Sequence, residues 1–172
     1  MSFKPNLSVK LTAEQERLWS NAIGGVMLNF GQIEFTSHRW IQHFARDPLL
    51  GDLAIDMQFS KRLQLIRQLL ARAELPSDVR SRALELWAEA GTLSETRNTL
   101  AHNPMVFAPG PDGELVPGIP NVKQMKGAGP FTVTLLDASR IVHAARRLGE
   151  IATELDHLLT EPSNETSVAD VT

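Results

Sequence analysis

The chain contains neither cysteine nor tyrosine. The first absence excludes disulfides, thiolate metal sites and cysteine nucleophiles together. Nowhere do about 18 apolar residues run together, so no membrane span is expected. Residues 1–10 lack an apolar signal region, and the default expectation is a cytosolic protein of bacterial type. Excess charge is also scarce: 17 Lys and Arg against 20 Asp and Glu leave a net charge of -3. That balance argues against a general polyanion binder and confines any nucleic-acid contact to a local patch. With 42% hydrophobic residues, 172 positions suffice for one domain with a real core.

Hydrophobic periodicity predicts a mostly helical fold. Residues 12–46 read as one long helix, opened by a Thr12–Gln15 capping box, with Leu18, Ala22, Val26, Phe30, Ile33, Ser37, Ile41 and Phe44 at helical spacing. Gly24, Gly25 and Gly31 each weaken it by about 1 kcal/mol relative to alanine, which predicts a kink or a close helix neighbour. Asp47-Pro48 is expected to end the helix and to begin a connector reaching about Gln58. Ser60 then caps a shorter helix with the stripe Leu63, Ile66, Leu70 and Ala73, broken by Pro76. Ser77 and Asp78 start a third, in which Val79, Ala83, Leu86, Ala90 and Leu93 follow a 4-3-4-3 rhythm. Pro104 ends it, because its ring would clash with the Leu100 carbonyl.

Between residues 105 and 130 the texture turns to proline and glycine, flanked by the short β runs 105–107 and 131–133, which predicts a small hairpin. Thr134 with Asp137 caps the last helix, whose seam runs Ala138, Ile141, Ala145, Leu148, Ala152, Leu155 and Leu159. The expected fold is all-α: a four-helix up-and-down bundle with a β-hairpin inserted between helices three and four. It occupies residues 1–160 as a single domain, and the polar, aperiodic residues 161–172 read as a disordered tail.

The seam of the third helix carries one anomaly. After Leu93 the next apolar position is Arg97, followed by Leu100 or Ala101. An unpartnered buried guanidinium costs several kcal/mol, so Arg97 must be paired or face a cleft. The structural possibility is a pair with Glu34 or another carboxylate, or a side chain that snorkels out at the helix end. The functional possibility comes from its neighbours. Asn98 and His102 are i,i+4 on one face, with Glu95 three residues before Asn98. Arg97 lies about 100° round the helix from Asn98, so one helix alone does not aim Arg97 and His102 at one atom. A loosened helix end or a two-fold axis between two copies would bring them together. Arg, Asn and His suit phosphoryl chemistry: the guanidinium binds phosphate oxygens in a fork, and imidazole moves protons near neutral pH.

The stretch Glu95-Thr96-Arg97-Asn98-Thr99-Leu100-Ala101-His102-Asn103 resembles the signature of the HEPN superfamily, the higher eukaryotes and prokaryotes nucleotide-binding domains. Ribonuclease members carry an Arg, a polar residue and then a His four to six positions after the Arg. The helix order, the motif's place late in the third helix and the following hairpin and helix resemble that superfamily across residues 15–160. The resemblance implies a metal-independent endoribonuclease, with a toxin or antiviral-defence setting. In that chemistry a ribose 2′-hydroxyl attacks the adjacent phosphate and leaves a cyclic phosphate end. It also implies the roles: Arg97 stabilising the phosphorane, His102 as general acid or base, and Asn98 orienting the phosphate. The implied partners are a second copy of the chain, an RNA substrate and an antitoxin or other regulatory protein. One toxin branch carries a Tyr two residues after the His, modified by its antitoxin. Here that position is Pro104, so that scheme does not carry over. The superfamily also contains non-catalytic interaction domains and nucleotide-binding members, which are the alternative readings.

Local basicity bears on RNA contact. Lys61, Arg62, Arg67, Arg72, Arg80 and Arg82 gather on helices two and three, Arg140, Arg146 and Arg147 on helix four, and Lys123 and Lys126 on the hairpin. The bland reading is solvated helix faces, including an Arg146–Glu150 pair. A metal site is not expected: Glu154 and His157 lack a second such motif, and Glu34 with His38 lacks a third ligand. No cofactor is expected either, since no phosphate-binding glycine loop or Gly-x-Ser-x-Gly elbow occurs. His43 and His143 read as surface histidines, and Trp19, Trp40 and Trp87 as core or dimer-interface packing rather than base stacking.

Overall fold

The computed structural model describes residues 11–109, 115–121 and 132–160. Five helices lie there: α1 (Ala13–Ala45), α2 (Pro48–Ile55), α3 (Phe59–Arg72), α4 (Ser77–His102) and α5 (Ala138–Thr160). Three strands, β1 (Val106–Pro109), β2 (Leu115–Pro120) and β3 (Val133–Leu135), separate α4 from α5. The fold is thus mostly helical with a small antiparallel sheet. The expected tail, residues 161–172, lies outside the described residues.

The chain divides into two compact units, one of Met1–Leu28 with Ser94–Arg146, the other of Asn29–Leu93 with Arg147–Thr172. In the first, α1 opens with the expected reciprocal cap: Gln15 N donates to Thr12 Oγ1 at 3.2 Å and Thr12 N to Gln15 Oε1 at 3.1 Å. Trp19, Ala22, Val26, Leu100, Ile141 and Ala144 are buried there. The glycine pair has a split explanation. A Cβ on Gly25 would stand 3.1 Å from the Ala145 Cβ, so α5 approaches α1 closely there, whereas one on Gly24 would meet nothing within 4 Å.

The sheet corrects the expected hairpin. Its order is β1-β2-β3, with Phe107 opposite Pro117 and Ile119 opposite Thr134. The middle strand escaped sequence reasoning because Pro117, Gly118 and Pro120 all argue against a central strand. Gly118 is there for close packing: a Cβ would fall 2.3 Å from Val133 Cγ1. Thr134 belongs to β3, so it does not cap α5. Asp137 alone does, its Oδ1 accepting from Ser139 N at 2.8 Å and Ser139 Oγ at 2.7 Å. Those bonds to the ionised form hold the Asp137 carboxyl below the usual range.

In the second unit the predicted connector contains α2. Asp47 Oδ1 accepts from Leu49 N at 2.9 Å with Pro48 at the first helical position, so Asp-Pro starts this helix as well as following the previous one. α3 begins one residue before the expected Ser60 cap, after Gln58, without a side-chain cap. Leu63, Ile66 and Leu70 of its expected stripe are buried, whereas Ala73 is the half-buried residue just past the helix end, and Trp40, Trp87, Leu86, Ile151 and Leu155 are buried in the same unit. Trp40 and Trp87 meet edge to face with centroids 5.8 Å apart, and Trp40 Nε1 donates to Leu155 O at 3.2 Å. The three tryptophans are therefore core residues of the chain itself.

Candidate functional site

The last turns of α4 carry the three candidate side chains. Leu100 is buried and anchors this end of the helix, while Asn98 and His102 are exposed and Arg97 is half-buried. α4 stops at His102, two residues before Pro104, and Asn103 Nδ2 donates to Thr99 O at 3.0 Å, closing the C-terminal turn with a side-chain donor. Ala101 is exposed, so the seam continues through Leu100.

Arg97 does not sit as a core residue. Its Nη1 donates to Asn98 Oδ1 at 2.9 Å. That bond draws the guanidinium round the helix toward the face of Asn98, offsetting the angular separation that one residue imposes. The carboxamide then presents Nδ2 as its donor. His102 stands one turn further on the same face, about 6 Å along the axis from Asn98. The structure therefore joins Arg97 with Asn98 directly, and His102 follows four residues later in the same helix. Guanidinium and carboxamide are side chains of the kind that donate to phosphate oxygens.

The carboxylate that sequence reasoning offered to Arg97 serves another arginine. Arg62 Nη2 donates to Glu34 Oε1 at 2.9 Å and Nη1 to Met57 O at 2.8 Å, and its guanidinium lies 5.7 Å from the Phe59 ring centre. Arg62 is only 4% exposed, although its sequence context placed it in a surface cluster. The α3 stripe carries the missed signal: Arg62 is adjacent to Leu63 and four residues before Ile66, on the flank of the buried face. His38 belongs to this group, its imidazole held below the ordinary pKa by burial and then by the Arg62 charge, against a smaller opposing effect of Glu34.

Several other cations of the proposed basic surface are structural. Arg82 grips Glu154 through Nε at 2.6 Å and Nη2 at 2.9 Å, and Arg147 grips Glu89 twice at 2.7 Å. These forks hold the Arg82 and Arg147 pKa values up and that of Glu154 down. Arg147 also reaches Glu150 at 3.1 Å, the carboxylate assigned from sequence to Arg146. Arg80 donates to Ala73 O and Leu75 O. Lys61, Arg67 and Arg140 remain exposed, and Lys123 and Lys126 lie outside the described residues.

Among the described residues no three His, Asp or Glu side chains gather into a metal site. Of the carboxylates considered for chelation from sequence, Glu154 pairs with Arg82 and Glu34 with Arg62. No helix among the described residues is long and apolar enough to cross a membrane. Comparison with protein-family models, curated proteins and solved structures found no match to this chain.

Proposed function

We propose that this chain is a metal-independent endoribonuclease of HEPN type, built on a four-helix up-and-down scaffold and acting as a homodimer on RNA. The observation that carries the reading is the Arg97–Asn98 hydrogen bond, which turns a half-buried guanidinium toward the exposed face bearing His102. In the proposed reaction the 2′-hydroxyl oxygen attacks the neighbouring phosphorus and the P–O5′ bond breaks. The products are a 2′,3′-cyclic phosphate and a free 5′-hydroxyl. His102 removes the 2′ proton or protonates the leaving 5′ oxygen, and a second His102 from a partner copy supplies the complementary step. Arg97 neutralises charge on the pentacoordinate phosphorane, and Asn98 Nδ2 holds a non-bridging oxygen. A toxin or antiviral-defence setting, restrained by an antitoxin or other regulatory protein, belongs to the same reading and rests on the resemblance alone.

The test is incubation of labelled structured RNA with purified protein in EDTA, beside His102→Ala and Arg97→Ala. Cyclic phosphate ends made by wild type and lost in both variants are the expected result. A single removed general acid or base lowers such rates by about 100- to 10,000-fold. Arg97→Ala should leave stability within about 1 kcal/mol, as for an arginine that is not fully buried. Equal cleavage by all three proteins, or none by folded dimeric wild type, refutes the assignment.

A further inference from the structure

A second place in the molecule gathers two guanidiniums and an imidazole around a concave surface. Within the second unit, a cleft of about 580 Å³ opens between the end of α1, the start of α2 and the end of α3. Three of its lining groups are His43, in the last turn of α1, Arg46, in the α1–α2 link, and Arg72, the last residue of α3. None of the three arises from the Arg97 site, so the inference stands apart from the ribonuclease reading.

Arg46 has φ of 56°, the left-handed conformation at a helix end for which glycine is the inexpensive solution. Keeping a long cationic side chain at such a backbone position is a cost found where the side chain has work to do. The Arg46 and Arg72 side chains make no hydrogen bond or ion pair with other described residues. Helix-end compensation is the competing use for Arg72, but Arg80 already donates to Ala73 O and Leu75 O just beyond the same end. The cleft also has an aromatic side. The His43 and Phe44 rings meet edge to face at 4.6 Å, and Phe44 is backed by Trp40 at 5.4 Å. Leu50 and Leu69 extend that apolar surface, and Glu74 adds one carboxylate acceptor.

We propose that this cleft binds a 5′-mononucleotide, with the phosphate in the Arg46 and Arg72 forks. The base lies along the Phe44 wall, and Glu74 accepts from a ribose hydroxyl or an exocyclic amine. The volume supports a ligand larger than a bare anion, since sites for small organic ligands span about 300–1,000 Å³. Two guanidiniums suit a phosphomonoester, and an aromatic wall beside them suits a nucleobase without strong base preference.

Calorimetric titration of the full chain with adenosine 5′-monophosphate, adenosine and inorganic phosphate tests the proposal. The nucleotide should bind about tenfold or more tightly than either fragment, because each fragment uses half the cleft. Arg46→Gly and Arg72→Ala should each weaken it by about tenfold or more, while the exposed Arg67→Ala leaves it unchanged. Arg46→Gly should melt no lower than wild type, since it relieves the left-handed backbone, and this separates lost binding from lost folding. Arg46→Lys, which keeps charge but not the fork, serves as a second folded variant and should bind more weakly than wild type. The proposal is overturned by absent saturation at millimolar nucleotide, by equal affinity for phosphate and nucleotide, or by loss with Arg67→Ala instead of Arg46→Gly. Melting changes in the arginine variants without nucleotide binding would assign these charges to the helix ends and overturn it equally.

Discussion

Glu34→Ala probes the buried Arg62 guanidinium. In the native chain the Arg62 side chain is 5% exposed and that of Glu34 33% exposed, with a 2.9 Å contact between them. Breaking a buried ion pair by deleting one partner costs about 3–5 kcal/mol, because a charge stays behind without compensation. Here the figure falls to about 2–3 kcal/mol, since Glu34 is partly solvated and screening weakens its pairing. Arg62 also keeps the Met57 carbonyl and the Phe59 ring. At about 2–4 °C per kcal/mol for a chain of this size, the midpoint should fall by about 5–10 °C. Denaturant unfolding followed by circular dichroism measures the free energy, and calorimetry the midpoint. Arg62→Met completes a double-mutant cycle. With both charges gone no buried charge is left unpaired, so the double variant should be more stable than Glu34→Ala alone. Additive losses, or a Glu34→Ala cost below about 0.5 kcal/mol, would refute the reasoning.

Two further outcomes follow from packing and from titration. Gly24→Ala should stabilise by about 0.5–1 kcal/mol, because the helix gains propensity and the new methyl meets open space. Gly25→Val should cost about 1–3 kcal/mol, because its side chain is driven into Ala145; equal melting of the two variants would contradict the α1–α5 approach. His38 gives a pH dependence. Its folded pKa lies below the ordinary histidine value, so the unfolded chain takes up the proton first on acidification. Stability should therefore fall as pH drops from about 7 through 6.5, and level once the folded imidazole also protonates. His38→Gln should flatten that segment, leaving the separate loss near and below pH 4 where Asp137 and Glu154, both depressed, become protonated. An unchanged slope in His38→Gln, from unfolding curves at several pH values, would exclude this histidine as its source.

Helix existence was legible because amphipathic repetition is a long-range average. The stripes through α1, α3 and α5 each repeat over three or more turns, and no single residue decides them. The failures are local and share a cause, namely residues that serve two roles. Asp47-Pro48 both prevents α1 from continuing and opens α2, and reading only the first role turned a helix into a connector. Pro117 and Pro120 discouraged a strand, yet β2 tolerates them in the middle of a three-stranded sheet. Thr134 had the chemistry of a cap but sits in β3, three residues before the carboxylate that performs that function.

The two arginines near apolar stripes show why site reasoning is harder than fold reasoning. Helical rhythm specifies the angle at which a side chain leaves the axis, and by angle Arg97 is a seam residue. Angle alone says nothing about what stands opposite. Arg62 is surrounded by the Met57 carbonyl, the Glu34 carboxylate and an aromatic face, three groups that make burial of a guanidinium tolerable. Arg97 lies five residues from the end of α4 and turns to its exposed neighbour Asn98. The same residue type thus meets a carboxylate from another helix in one place and its neighbouring carboxamide in the other. A local hydrogen bond between two donor-rich side chains adds little to stability, since an exposed pair contributes about 0–1 kcal/mol. Its main physical effect is to orient the guanidinium, and orientation near a solvent-facing imidazole matters for a ligand more than for the fold. That contrast is why Arg62 is the place to measure stability and Arg97 the place to measure activity.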